Sequence, residues 1–254
     1  MIFDSHAHYD DEAFEEDRQE LLGSMKENGV GIIVNVGASL ESSESSVALA
    51  KAYDFIYAAV GVHPSDTGKL NEENYKRLCE LMQHEKAVAV GEIGLDYYWD
   101  EPEREIQKKW FVRQLHTAAE LKKPIIIHSR DAAKDTLDIM KTETCWENGG
   151  VIHCFSYSVE MAREYLSRGF YLGIGGVLTF NNAKRLREVA EYAPIDQIVI
   201  ETDCPYLAPV PNRGKRNSSL NLPHVLEKLA EIKQMSREEV EKITFDNAKK
   251  LYGI

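Results

Sequence analysis

Short runs of apolar and β-branched residues alternate along this chain with longer stretches whose apolar positions recur every three or four residues. Eight short runs can be counted, at 1–5, 31–37, 55–61, 87–92, 124–128, 150–153, 170–175 and 197–201. Their length and punctuation predict strands, and the stretches between them, such as 105–122 and 182–192, predict helices. Strand and helix in strict alternation imply repeated βα units with parallel strands. Eight such units in 254 residues match the (β/α)8 TIM barrel, an α/β fold, in both count and size. No Pro/Ser-rich linker interrupts the pattern, so residues 1–254 read as a single domain. Two further helical stretches, 223–233 and 236–252, supply the eighth helix and one extra C-terminal helix. The latter opens on Ser236-Arg-Glu-Glu239, the order of a capping box.

Composition narrows the function. A hydrophobic content of 43% with 28% charged residues supports a packed core and excludes a disordered chain. The net charge of −12 excludes a broad basic surface for coating nucleic acid. A phosphate-bearing substrate must then be met by metal ions or by local Arg and Lys. Cys79, Cys145, Cys154 and Cys204 lack CxxC spacing and read as reduced thiols. With no basic-apolar leader and no apolar run near the ~20 residues of a membrane span, the expected location is cytoplasmic. No membrane association or obligate protein partner is expected.

In a barrel of this class, chemistry gathers at the C-terminal ends of the strands. His6 and His8 follow the first run; Glu92 ends the fourth, His128 the fifth, His153 the sixth, and Glu201 and Asp203 close the eighth. Positions i and i+2 of a strand share a face, so His6 and His8 can aim at one point. Six nitrogen and oxygen donors exceed the three protein ligands of a single catalytic zinc, which predicts a binuclear centre. Glu92, with two oxygens, is the expected bridge. His6, His8 and Asp203 would hold one ion, and His128 and His153 the other. Imidazole with carboxylate suits zinc, manganese or iron, and magnesium is also considered, so two divalent ions of open identity are expected.

Around these lie candidate substrate contacts. His63, in Gly61-Val-His-Pro64, and Asp96, in Gly94-Leu-Asp-Tyr-Tyr98, sit on loops after the third and fourth strands. Arg130 suits a phosphate contact, and Asp131 a helix cap. Arg213, Lys215 and Arg216 form a basic loop after the eighth strand, fitted to a polyanion in an otherwise acidic protein. Gly173-Ile-Gly-Gly176 lacks the register of a dinucleotide fingerprint and reads as close packing or a tight turn. Alternation turns Cys154 and Cys204 away from the neighbouring ligands, as small buried hydrophobes.

Asp4-Ser-His-Ala-His8, Gly61-Val-His-Pro64, Gly91-Glu-Ile-Gly-Leu-Asp-Tyr97, His128-Ser-Arg-Asp131, His153-Cys-Phe-Ser156 and Glu201-Thr-Asp-Cys-Pro-Tyr-Leu-Ala-Pro209 together resemble the successive signatures of the TatD family of metal-dependent deoxyribonucleases. The resemblance covers nearly the whole chain. It implies an amidohydrolase-type barrel, a divalent-metal site, and hydrolysis of DNA phosphodiester bonds by 3′-to-5′ exonuclease action. DNA, as single strands or frayed ends, is the expected substrate partner. It places the metal ligands on the same six residues, His6, His8, Glu92, His128, His153 and Asp203. Tyr157, where the family usually has Gly, and Asn217-Ser-Ser219, in place of Asn-Glu-Pro, depart from the pattern. Both departures bear on loop shape and substrate preference.

The expected mechanism is two-metal hydrolysis with Asp203 as ligand and proton acceptor. Glu201 either orients the water or a ligand, or serves as a buried structural partner. The same metal chemistry would also serve an amide, lactone or aminoacyl ester, and the basic loop is the feature an uncharged substrate would not need. A nucleic-acid-binding module with structural metals is the reading of a different class, and open ligation on an acidic chain argues against it.

Overall fold

The structure is a computed structural model that describes residues 1–143 and 146–254; Cys145, one of the four thiols, lies outside the described residues. Eight strands, β1 (Ile2–Ala7), β2 (Val30–Val36), β3 (Ile56–Val60), β4 (Ala87–Asp96), β5 (Ile125–Arg130), β6 (Gly150–Ile152), β7 (Tyr171–Ile174) and β8 (Ile198–Ile200), form one sheet in chain order. The ladders β1–β2, β3–β4, β4–β5, β5–β6 and β7–β8 are all parallel. A parallel bridge between Ala7 and Cys204, just past β8, returns the last strand to the first. Helices α1 (Arg18–Ser24), α2 (Leu40–Ala52), α3 (Glu72–Met82), α4 (Arg104–Leu121), α5 (Ala133–Thr142), α6 (Val159–Leu166), α7 (Lys184–Tyr192) and α8 (Leu222–Lys233) follow the strands in turn, and α9 (Arg237–Tyr252) is the extra one. This is the expected (β/α)8 barrel.

The chain packs as two compact units. One comprises Met1–Asn35 and Cys154–Lys250, the other Val36–His153 and Leu251–Ile254. In the first, Phe3, Ile33, Leu172, Ile174, Val199 and Ile200 are buried, and Phe3 meets Phe245 of α9 edge to face at 5.8 Å. In the second, Val60, Ala89, Val90, Ile93, Ile126 and Ile127 are buried. Strands buried on both faces need continuous apolar runs, which is why these read as blocks and not as alternations. No helix among the described residues is long and apolar enough to cross a membrane.

Three strands run beyond the ends of their apolar runs: β1 continues to Ala7, β4 to Asp96 and β5 to Arg130. The β4–β5 ladder continues through Ile93 with Ile127, Gly94 with His128, Leu95 with Ser129 and Asp96 with Arg130. Backbone pairing does not require apolar side chains, so Glu92 and His128 lie inside strands and Asp96 ends one. The capping box holds: Ser236 N–H donates to Glu239 at 3.1 Å and Glu239 N–H to Ser236 Oγ at 3.3 Å. The Asp131 cap does not. Helix α5 starts one residue later, with Ala132 at the N-cap and no side-chain cap bond, because Asp131 adopts a left-handed conformation (φ 53°) before it.

Candidate metal centre

Each unit carries one cluster of histidines and carboxylates at the C-terminal ends of its strands. In the first, His6 is the penultimate residue of β1 and His8 follows the strand. Their Nε2 atoms are 3.1 Å apart, and Asp203 Oδ1 lies 3.8 Å from the first and 3.4 Å from the second. Ligand atoms of the three residues all fall within 4.8 Å of one another. Asp203 is placed by backbone pairing. Its N–H donates to the His6 carbonyl at 2.9 Å and His8 N–H to the Cys204 carbonyl at 2.9 Å. Asp203 has φ 54°, a left-handed backbone that Asp tolerates better than most residues and that turns the chain sharply after β8.

Asp4 fastens this arrangement. Fully buried, it accepts from Thr202 N–H at 3.0 Å, Thr202 Oγ1 at 2.7 Å and Ser219 Oγ at 2.6 Å. Burial pushes its carboxyl up to about 6, against the opposing pull of those donors. Ser219 belongs to the segment that departs from the family pattern, and Asn217 of the same segment donates to the Thr202 carbonyl at 3.0 Å. Of the departing residues Ser219 thus braces Asp4, while Asn217, which matches the pattern, braces Thr202. Tyr157 sets its ring edge against Phe155 at 6.0 Å.

Glu201 is buried and accepts from the Cys154 N–H at 2.5 Å. A Cβ on Gly173 would come within 2.3 Å of Glu201 Oε2, so glycine is what lets the carboxylate lie against β7. This bears out the close-packing reading of Gly173. The alternation expected for Cys154 fails, because β6 ends at Ile152 and Cys154 has φ 46°. Its thiol lies within 4.8 Å of an Asp203 carboxylate oxygen. Cys204 is buried as expected, and burial pushes its thiol up.

The second cluster centres on Glu92 Oε1, which lies 2.7 Å from His128 Nδ1, 3.3 Å from His153 Nε2 and 3.9 Å from His63 Nε2. The ladder between β4 and β5 shifts register between Val90 and Ile93, and Glu92 lies within that irregular step. His128 is gripped at both nitrogens, since its Nε2 lies 3.1 Å from Asp96 Oδ2. Burial would lower the His128 pKa, but the bonds to Asp96 and Glu92 carry it above its ordinary value. Burial and the neighbouring His128 push His63 down to about 4. His63, Glu92 and His128 bring ligand atoms within 4.8 Å of one another. Expected as substrate contacts on loops, His63 joins the donor cluster and Asp96, the last residue of β4, bonds one of its members.

The basic residues are dispersed. Arg130 lays its guanidinium over the Tyr98 ring at 3.8 Å, and Arg213 lies over Phe180 at 4.3 Å. Arg216 turns instead to Asp17, with Nη1 2.8 Å from Oδ1, and to the Ala13 carbonyl at 2.6 Å. Lys215 is exposed.

Residues 3–253 match the family model described as TatD related DNase. The chain is 45% identical over 254 residues to the uncharacterized metal-dependent hydrolase YabD of Bacillus subtilis (strain 168), covering both chains completely. It is 35% identical over 257 residues to the 3′-5′ ssDNA/RNA exonuclease TatD of Cronobacter sakazakii, covering 99% of this chain and 97% of that one. The crystal structure of YJJV, a TatD homolog from Escherichia coli K12, superposes with a TM-score of 0.92 at 30% identity, over 100% of this chain and 98% of the other. Matched end to end in sequence, and set on the same barrel, this chain belongs to the TatD family of metal-dependent hydrolases.

Proposed function

We propose that this protein is a deoxyribonuclease that hydrolyses DNA phosphodiester bonds from the 3′ end, on single-stranded or frayed ends, with two divalent ions. The observation that carries the reading is the pair of clusters, each combining imidazole and carboxylate donors within 4.8 Å, in a family whose Cronobacter member is named an exonuclease. The donor set fits such ions: nitrogen and carboxylate oxygen are the ligands of zinc and manganese in hydrolytic sites.

His6, His8 and Asp203 would hold one ion and Glu92, His128 and His153 the other, with His63 beside Glu92 and His128. When bound, the ions would polarise the phosphoryl oxygen and lower the pKa of the attacking water. Asp203 accepts the water's proton on its carboxylate. Glu201, through the Cys154 N–H, fixes the turn beyond β6 and so acts as a positioning residue. Asp96 holds His128 in one ring orientation, as carboxylates behind a ligating imidazole do. Arg130, Arg213 and Lys215 are the side chains suited to the non-scissile phosphates.

The test is turnover by metal-reconstituted protein on single-stranded DNA, abasic DNA, frayed duplex, and a panel of amides, lactones and aminoacyl esters. Stepwise release of mononucleotides from the 3′ end is expected. Turnover of an amide or lactone with none of DNA would replace this reading with another hydrolase. Metal-independent DNA binding without turnover would point to a binding module.

A further inference from the structure

Directly after β4 the chain exposes two large aromatic side chains in succession: Tyr98 is 55% and Trp99 64% exposed. Their rings meet edge to face with centroids 5.1 Å apart, and Arg130 covers the Tyr98 ring at 3.8 Å. Because the two rings touch, they form one contiguous apolar patch beside a cation, and contiguous exposed patches are where binding surfaces are found.

This patch is tied to the metal cluster through one carboxylate. Asp96 Oδ1 accepts from the N–H groups of Tyr98 at 2.9 Å and Trp99 at 3.1 Å, while its Oδ2 lies 3.1 Å from His128 Nε2. Arg130 comes two residues after His128 on β5. The loop is held from beneath as well. Buried Gln107 accepts from Asp96 N–H at 2.9 Å and donates to the carbonyls of Asp96 at 3.1 Å and Pro102 at 2.9 Å. Arg104 pairs with Asp100 at 2.7 Å. Rings on a braced loop lose little freedom on binding, which favours recognition.

We propose that Tyr98 and Trp99, with Arg130, form a stacking platform for a nucleobase of a single-stranded nucleic acid, next to the scissile phosphate. The inference rests on the nuclease reading and deepens it by assigning a base-binding position. A π-face accepts any base, so the platform selects unpaired over paired nucleotides without selecting sequence, and the guanidinium adds attraction for the polyanion. A duplex offers only its terminal pair to such a surface.

The experiment uses reconstituted enzyme and an oligonucleotide in which one base at a time, counted from the 3′ end, is removed to leave an abasic sugar. In the parent protein, base removal at one position should raise KM roughly 5- to 150-fold, the range for one base–aromatic stack. In the Tyr98→Ala/Trp99→Ala double variant the intact oligonucleotide should show that same rise, and removing the base should add nothing. Tyr98→Phe and Trp99→Phe, which keep a stacking face, should retain the positional penalty. A variant that merely disturbs Asp96 and His128 would lose intact and abasic substrates alike and keep the penalty. A penalty of equal size in parent and double variant, or no positional penalty in the parent, overturns the proposal while DNA hydrolysis stands. An unaltered KM for the double variant, as expected if the patch docks a protein, overturns it too. If the parent hydrolyses no nucleic acid, the nuclease reading falls and the platform with it.

Discussion

Thr202 Oγ1 donates to Asp4 Oδ2 at 2.7 Å, and Thr202 N–H to Asp4 Oδ1 at 3.0 Å, so a single buried carboxylate sews the first strand to the segment after the last. The bond lies two residues before His6 on one side and one before Asp203 on the other. It therefore fixes the distance between ligands that are remote in sequence.

Asp4→Ala should leave three strong donors in the interior without their acceptor. Such a loss costs about 1–3 kcal/mol per unsatisfied group, offset in part by removal of a buried charge. A net destabilisation of about 2–4 kcal/mol is expected, or roughly 5–15 °C in midpoint for a chain of this size. Metal affinity should fall as well. Thermal denaturation and metal titration check it; a stable variant with parental affinity would remove Asp4 from this role.

Asp203→Asn keeps the side-chain volume and removes a proton acceptor and an anionic ligand. Turnover should fall at least about 10²–10⁴-fold, the usual contribution of a general base, with a circular dichroism spectrum like the parent's. Activity within a few-fold of the parent at saturating metal would show that Asp203 is not the acceptor.

Gly173→Ala tests the seat of Glu201. Its Cβ would meet Glu201 Oε2 at 2.3 Å, so the carboxylate must move and release the Cys154 N–H. Overpacking of this kind costs about 1–3 kcal/mol, and turnover should drop with it. Denaturant unfolding and kcat are the measurements, and parental values for both would show that the site has room to spare.

Chelation should abolish turnover, and a divalent ion should restore it. The two clusters predict a stoichiometry of two ions per chain after reconstitution, and elemental analysis measures it. His6→Ala should lose one ion and Glu92→Gln weaken the other; protein that holds none after reconstitution in excess zinc, manganese or magnesium would disprove the centre.

Arg213→Gln/Lys215→Gln should raise KM for an oligonucleotide and flatten the salt dependence of binding, since each lost phosphate contact reduces the slope by about 0.7 for a single strand. Arg216→Gln should change the slope less, because Asp17 and the Ala13 carbonyl already occupy its guanidinium. Equal slopes for parent and double variant would mean that the loop is solvated surface.

Periodicity was enough for the barrel. Apolar runs of strand length between helical repeats leave parallel βα units as the way to bury them, and the ends of those runs brought His6, His8, Glu92, His128, His153 and Asp203 into view. The spacing of Asp4, His6 and His8 by two also carried the sign that Asp4 shares their face, although nothing local says that its partners are Thr202 and Ser219. Tertiary structure decided what depends on pairing and on contact between distant segments. Strand β4 runs on to Asp96 because a backbone ladder is indifferent to side-chain polarity. His63 joins Glu92 and His128, and Arg216 turns to Asp17; Cys154 faces Asp203 because left-handed backbone at both residues breaks the alternation that sequence reasoning must assume. A pattern along the chain records which faces are apolar; which polar group meets which is set by the closure of β8 onto β1 and the register of β4 on β5.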